Sequence, residues 1–216
     1  MLTIINPDRL TGYPFFYDLI VFLEANPNQT LRAIKAHFPE VAKKDHFIDQ
    51  YIKAGYIERK DKRYQANIPY LKKEEEFSFD RLTFIDDQSS LYNSLKQLYF
   101  KTELSNKTNQ VILEEKTDFQ RESLTLSNYF YRLKHAYHLT EEQKELYQIL
   151  GDVNPEYALK YMTSFLLKFN RKPKVVQKRT DIFVKAMLVL NYIKQDEDGK
   201  YELLLDFDKE NLVFKK

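Results

Sequence analysis

The sequence predicts a mainly helical α+β protein, and three observations lead to this expectation. Apolar residues recur at helical spacing in several segments that begin at a capping residue or a proline. Shorter segments alternate between polar and apolar residues on either side of a charged turn, as the strands of a hairpin do. The chain also has only 4 glycines and no cysteine among its 216 residues. This composition excludes glycine-rich phosphate-binding loops, disulfide frameworks, cysteine-ligated zinc and thiol catalysis.

Two helices are predicted near the N-terminus. Pro14 stands where the first turn of a helix tolerates proline, and the apolar spacing that follows it ends at Asn26. Thr30 is the predicted N-cap of a second helix, which ends before Pro39.

A third helix and a hairpin follow. The helix runs from about Asp45 to Gly55, where glycine suits the left-handed residue after a helix. Residues 56–59 and 63–66 then alternate like two strands around a charged turn. Three helices followed by a two-stranded hairpin is the order of a winged helix, so residues 1–73 are predicted to form a winged-helix-like domain.

The middle of the chain, residues 74–138, is predicted to be a mixed α/β segment. The charge run at 72–76 is a natural joint between domains. The predicted elements after it are strands at 81–86 and 110–114 and helices at 90–101 and 119–137.

Residues 139–216 are predicted to form a helical unit that ends in a hairpin. Its elements are a helix capped by Thr140 and ended by Gly151, a helix from Pro155 to Phe169, a helix capped by Thr180, and strands at 192–194 and 201–205.

The two ends of the chain correspond at a constant offset of 136 residues. Tyr56 corresponds to Tyr192, and Gly55 corresponds to Asn191. Asparagine is the second choice for a left-handed helix cap. The sequence therefore predicts two copies of a helix–cap–hairpin unit, the second also winged-helix-like.

Charge limits the ways in which this chain can bind nucleic acid. It has 34 basic and 32 acidic residues, a formal net charge of +2, so binding must come from local patches. In a winged helix the third helix enters the major groove, where Lys43 and Lys44 would lie, and the hairpin contacts phosphates. Asp45 and Asp49 lie on the same helix and repel phosphate. The candidate contacts of the hairpin are Arg59, Lys60, Lys62 and Arg63.

A second basic patch is stronger. Residues 168–179 contain six cations and no acid, between the second and third helices of the C-terminal unit. Neutralised phosphates would release counterions and make binding depend steeply on salt. The alternatives are an ordinary solvated loop or a docking site for an acidic protein. The cations are Lys168, Arg171, Lys172, Lys174, Lys178 and Arg179.

Three functions remain open at this point. The first is a non-enzymatic nucleic-acid-binding or regulatory protein whose partner is double-stranded DNA. The second is a protein-interaction adaptor that keeps the winged-helix shape without DNA contact, which the acidic turn at 196–198 favours. The third is a nuclease in which Asp86 and Glu114 hold Mg²⁺ and Lys116 orients water. No catalytic residue, metal or cofactor is assigned, and the oligomeric state is left open.

Two further patterns have a structural explanation that is preferred over a functional one. His135 and His138 stand three apart on a predicted helix and, with Glu141 or Glu142, would offer metal ligands, but no third ligand has a diagnostic spacing. The 16 tyrosines and 16 phenylalanines could stack on unpaired bases, although helical aromatics are expected in the core.

Five stretches, taken together, resemble a family of uncharacterised cytoplasmic proteins from streptococci and related lactic-acid bacteria. The resemblance implies a Gram-positive cytoplasmic setting and brings no catalytic residue, ligand or activity. The longest apolar runs, residues 186–190 among them, are far shorter than the roughly 18–20 residues of a membrane span, so no membrane partner is expected. The stretches are LRAIKAHFPEV (31–41), YIKAGYIERKDKRY (51–64), SLTLSNYFYRLK (123–134), LGDVNPEYALKYMTSFLLKF (150–169) and RTDIFVKAMLVLNYI (179–193).

Overall fold

The computed structural model describes all residues from 1 to 216 and divides into two units, Met1–Leu98 and Tyr99–Lys216. It is an α+β structure with eight α-helices and twelve strands. None of the helices has both the length and the hydrophobicity needed to span a lipid bilayer.

The first unit contains four helices and five strands. Its core is built from α1 and from the inward faces of α3 and the sheets, with Phe16, Leu19, Ile20 and Tyr51 fully buried. In chain order the elements are β1 (Leu2–Ile5), α1 (Pro14–Ala25), β2 (Gln29–Thr30), α2 (Leu31–His37), α3 (Lys44–Lys53), β3 (Ile57–Lys60), β4 (Arg63–Ala66), a 3-10 turn (Glu74–Glu76), β5 (Thr83–Asp86) and α4 (Ser90–Leu95).

The predicted helix boundaries in this unit are confirmed where a local capping signal defines them. Pro14 begins α1. The hydroxyl of Thr30 accepts a hydrogen bond from the backbone N–H of Ala33 at 3.1 Å, which caps α2. Gly55 follows α3 with φ +82°, a conformation in which a side chain is strained.

The boundary between the units differs from the predicted division after residues 73 and 138. Strand β5 lies in the predicted central segment, yet it pairs antiparallel with β1, with Leu2 opposite Asp86. This long-range pair ties residues 83–86 to the N-terminal unit. The division between the two units falls after Leu98, within the predicted mixed α/β segment 74–138.

The second unit contains four helices and seven strands. Its core joins one face of a four-stranded sheet to three helices through Leu113, Leu146, Met162 and Met187. The elements are β6 (Phe100–Ser105), β7 (Ile112–Thr117), α5 (Leu126–Lys134), α6 (Glu141–Leu150), α7 (Pro155–Leu166), a 3-10 turn (Leu167–Asn170), β8 (Lys174–Val175), α8 (Ile182–Val189), β9 (Ile193–Gln195), β10 (Tyr201–Leu203), β11 (Asp206–Asp208) and β12 (Val213–Lys215).

The four-stranded sheet of the second unit has the order β11-β12-β7-β6. Strand β12 lies parallel to β7, with Phe214 opposite Leu113, and antiparallel to β11. Strand β6 completes the sheet as the antiparallel neighbour of β7.

Several predicted elements of the second half are wrong in extent. The predicted helix 119–137 is reduced to α5, because the carboxylate of Asp118 binds the backbone N–H groups of Gln120, Glu122 and Ser123 and folds them into a loop. The predicted helix 90–101 stops at Leu95 as α4, and β6 begins at Phe100.

The helices around residues 140–190 follow the prediction more closely. Thr140 and Gln143 form a reciprocal capping box at the start of α6, and Gly151 ends that helix. Helix α7 starts at Pro155 and gives way to the 3-10 turn after Leu166. The cap of α8 is Asp181 instead of Thr180, since its carboxylate accepts the N–H groups of Phe183 and Val184.

Each unit contains a small antiparallel sheet in which the second strand of a hairpin is central. The orders are β2-β4-β3 in the first unit and β8-β10-β9 in the second. We call β3–β4 (residues 57–66) the first hairpin and β9–β10 (residues 193–203) the second hairpin.

The backbone bonds that lead into the two hairpins are equivalent at an offset of 136. The N–H of Gly55 bonds the carbonyl of Ile52 at 3.0 Å, and the N–H of Tyr56 bonds that of Tyr51 at 2.9 Å. In the second unit the N–H of Asn191 bonds Leu188 at 3.0 Å, and the N–H of Tyr192 bonds Met187 at 2.9 Å. Asn191 has φ +55°, so the left-handed cap predicted at both positions is present.

Candidate nucleic-acid interface

The tip of the first hairpin presents its cations to solvent. Lys60 pairs directly with Arg63 across the strands, and Asp61 and Lys62 form the two-residue turn between them. Both turn residues are left-handed, with φ +49° and +61°. All four side chains are exposed.

The remaining predicted cation of the first hairpin, Arg59, is also exposed, but it lies over a ring. Its guanidinium carbon is 5.6 Å from the centre of the Tyr64 ring on the facing strand. This packing fixes the stem of Arg59 while its donors remain available to a ligand.

Helix α3 offers a mixed surface. The ammonium of Lys44 donates to the carbonyls of Phe38 and Pro39 at 2.6 and 3.2 Å. It therefore binds carbonyl groups at the C-terminal end of α2 and does not point into solvent. Lys43 is exposed and precedes the helix with φ +53°. Asp45 forms an ion pair with Lys35 at 2.6 Å, and Asp49 is exposed.

The basic segment, residues 168–179, links α7 to α8 and has an exposed chain of cations. The side chains of Arg171, Lys172, Lys178 and Arg179 are exposed and form no ion pair. Lys168 is held by Gln177 at 3.3 Å and lies 4.8 Å from the centre of the Phe165 ring. No acidic residue interrupts the segment.

Lys174 differs from the rest of the basic segment. Its ammonium lies 2.7 Å from a carboxylate oxygen of Asp196 and 2.6 Å from one of Glu202, both in the second hairpin. The hydrogen bonds that Lys174 donates to these two carboxylates raise its pKa, and its ammonium in turn lowers the pKa of each carboxyl. The acidic second hairpin therefore neutralises one of the predicted phosphate contacts.

Next to the basic segment lies an aromatic cluster that sequence reasoning did not single out. Tyr157 and Tyr161, one turn apart on α7, are 50% and 43% exposed. The ring of Tyr161 is stacked on that of Phe183 at 5.2 Å with an interplanar angle of 7°, and Tyr157 lies 4.7 Å from Tyr161. Two tyrosines four residues apart on a predicted helix, with Lys160 between them, are the sequence signal that points to this cluster.

The nuclease interpretation expects Asp86 to end a strand next to the one that carries Glu114 and Lys116, and these residues lie in different sheets. Asp86 ends β5, whose partner strand is β1, whereas Glu114 and Lys116 lie on β7 between β12 and β6. Glu114 accepts a hydrogen bond from Lys101 at 3.3 Å. No group of three or more His, Asp and Glu side chains is arranged to hold a metal ion.

The histidine pair is not on one helix face. Helix α5 ends at Lys134, His135 is its C-cap, and Ala136 reverses the chain with φ +55° before His138. The ring of His135 packs on Tyr131 at 4.3 Å, and burial lowers the pKa of its imidazole.

The buried carboxylate of Glu115, between the two residues of the nuclease motif, has a structural role. It is fully buried and accepts the N–H groups of Leu126 and Ser127 at 3.0 and 2.8 Å. The hydroxyl of Tyr192 donates to the same carboxylate. These bonds place a negative charge at the N-terminus of α5, where the helix dipole stabilises it.

Comparison with known proteins characterises the first unit. A DUF1803 domain, described as a domain of unknown function, covers residues 2–98 and so coincides with the first structural unit apart from Met1. Two of the five stretches that carried the family resemblance, at 31–41 and 51–64, lie inside it. No curated protein and no solved structure is similar enough to this chain to count as a match.

Proposed function

We propose that this protein binds double-stranded DNA without catalysing a reaction on it, through winged-helix-like units. The observation that carries the proposal is the basic segment, in which five of the six cations are exposed and free of carboxylate partners. Such a segment neutralises several neighbouring phosphates and is not opposed by a local acid.

The arrangement of elements supports the winged-helix-like interpretation. Helices α1, α2 and α3 precede the first hairpin, and β2 completes its sheet. The tip of that hairpin carries Lys60, Lys62 and Arg63, which suit contact with a phosphate backbone. In the second unit the basic segment would contact the phosphate backbone instead of the hairpin, because the second hairpin is acidic.

The test is fluorescence anisotropy of a labelled random-sequence duplex at about 50 and 200 mM salt. Six phosphate contacts would weaken binding by about 10³ between these concentrations. The triple variant Lys172→Ala, Lys178→Ala, Arg179→Ala should lower the salt slope by about three. Lys107→Ala, Lys116→Ala, Lys209→Ala is the matched control, because it removes three exposed cations elsewhere in the same unit. The proposal would be overturned if the two triple variants lost the same amount of salt slope, or if the parent did not bind the duplex at low salt.

A protein-interaction adaptor is the second candidate, and the surface of α3 favours it. Asp45 and Asp49 are exposed on the helix that would have to enter a major groove, and Lys44 is used to end α2. A stoichiometric protein partner that survives nuclease treatment, together with no duplex binding, would select this function.

A further inference from the structure

We propose that the solvent face of α7 binds single-stranded nucleic acid by stacking unpaired bases on Tyr157 and Tyr161. This inference rests on the proposed function and extends it, since the basic segment would contact the phosphates of the same strand. The α7 face, as we call it, consists of Tyr157, Lys160 and Tyr161 of α7 together with Lys168 of the 3-10 turn that follows the helix.

The rings of Tyr157 and Tyr161 are exposed to solvent. About half of each tyrosine remains in water although apolar positions of the same helix, such as Leu159 and Met162, are buried. The rings therefore lie on the outer side of α7 and are not packing material for the core. Exposed aromatic groups that lie together indicate a binding surface more often than scattered ones do.

Both rings pack on the ring of Phe183. Tyr161 stacks nearly parallel on Phe183 of α8, which is 7% exposed, and Tyr157 lies 5.8 Å from the same ring. The outer rings are thus held by a buried aromatic and lose little freedom when a base is added. Preorganisation of this kind lowers the entropic cost of binding.

Lysine side chains lie near the two rings. The ammonium of Lys160 lies 5.7 Å from the centre of the Tyr161 ring, and Lys168, eight residues after Lys160, begins the basic segment. The acids nearest in sequence are engaged elsewhere. Glu156 accepts the N–H of Lys107 at 2.5 Å, and Asp181 caps α8.

Exposed aromatic rings beside lysines suit a single-stranded nucleic acid. Proteins that bind single strands combine aromatic side chains, on which successive bases stack, with cations that follow the backbone. Tyr157 and Tyr161 are about 6 Å apart along the axis of α7, and Lys168 lies in the 3-10 turn that directly follows the helix. An acidic protein segment would use the cations but would leave both rings without a partner of matching shape.

The experiment compares a labelled 15-nucleotide oligothymidylate with a duplex of the same length. Tyr157→Leu, Tyr161→Leu keeps apolar area but removes the ring faces, and should weaken oligothymidylate binding at least fivefold per ring while duplex binding is retained. Tyr157→Phe, Tyr161→Phe keeps the rings and should bind like the parent. Tyr99→Leu is the control, because Tyr99 is 76% exposed and lies outside the α7 face.

A second readout reports stacking directly. A 2-aminopurine base in the oligonucleotide should be quenched by the parent and by the phenylalanine variant, and not by the leucine variant. Circular dichroism of each variant establishes that it is folded. Oligothymidylate binding that is equal in the leucine variant and the parent, or absent while duplex binding persists, overturns this inference and leaves the proposed function standing. Failure to bind either probe removes both.

Discussion

The hydroxyl of Tyr192 donates a 2.5 Å hydrogen bond to Oε1 of Glu115, which lies 77 positions earlier in the chain. Tyr192 directly follows the left-handed cap of α8, and Glu115 lies in β7. The same carboxylate caps α5 through Leu126 and Ser127. One buried charge therefore joins the sheet, α5 and the start of the second hairpin.

Tyr192→Phe should lower the free energy of unfolding of the second unit by about 1.5–3 kcal/mol, the usual contribution of a hydrogen bond to a charged group. Urea unfolding followed by circular dichroism measures the change. Tyr51→Phe is the matched control, because the hydroxyl of Tyr51 is buried in the first unit without a hydrogen-bond partner. That control should be neutral or stabilising, and a loss as large as that of Tyr192→Phe would contradict the assigned role of the bond.

Protonation of Asp118 should open the loop at 118–123. Burial alone would raise the pKa of Asp118, but hydrogen bonds from the N–H groups of Glu122 and Ser123 outweigh burial and lower it. Because the folded pKa lies below the unfolded value of about 3.9, the stabilisation is complete above about pH 4 and is lost as the pH falls through the folded pKa. Asp118→Asn should flatten the acid limb of a stability–pH curve measured by thermal unfolding. Asp206→Asn removes a carboxylate from an exposed strand position, and an equal flattening in that variant would contradict the role assigned to Asp118.

Lys62→Gly should stabilise the first hairpin by about 1 kcal/mol. Lys62 has φ +61°, which is strained for a residue with a side chain and free of strain for glycine. Lys60→Gly is the control, because Lys60 lies in β3, where glycine costs roughly 0.5–1 kcal/mol. Both variants remove one hairpin cation, so under the proposed function they should weaken duplex binding equally while their melting temperatures move in opposite directions.

Release of Lys174 should strengthen duplex binding under the proposed function. Asp196→Asn, Glu202→Gln removes both carboxylates from Lys174, and the second change also frees Lys194, which lies 3.0 Å from Glu202. The salt slope should steepen by about one to two. Glu197→Gln, Glu210→Gln makes the same change in net charge at two exposed acids, and it leaves Lys174 paired with Asp196 and Lys200 paired with Asp198. An equal steepening in the two double variants would show that general charge, and not Lys174, is responsible.

Helices were predictable from sequence because their signals are local. Pro14, Thr30, Thr140 and Gly151 define helix ends through contacts within a few residues, and the structure retains each of them. The strands that were missed depend on distant partners. Strand β1 is stabilised by β5, about 80 residues later, and β12 is stabilised by β7, about 100 residues earlier. Neither partner can be read from the short segment itself.

The candidate site was partly predictable for the same reason. A run of cations without acids is visible in the sequence, and the structure exposes these cations between α7 and α8. The pairing of Lys174 with Asp196 and Glu202 requires β8 to lie beside β10, which the sequence does not indicate. The aromatic cluster was missed because the exposure of Tyr157 and Tyr161 depends on how α8 packs against α7, which the sequence does not indicate.

The position of β12 sets an order of events during synthesis. Every strand and helix of the first unit lies within residues 1–98, so that unit can fold as soon as this length has left the ribosome. The larger sheet of the second unit has β12 between β11 and β7, and therefore stays incomplete until residue 215 has emerged. At about 5–20 residues per second, β7 waits roughly 5 to 20 seconds for its partner. During that interval its free edge is open to chaperones and to neighbouring nascent chains.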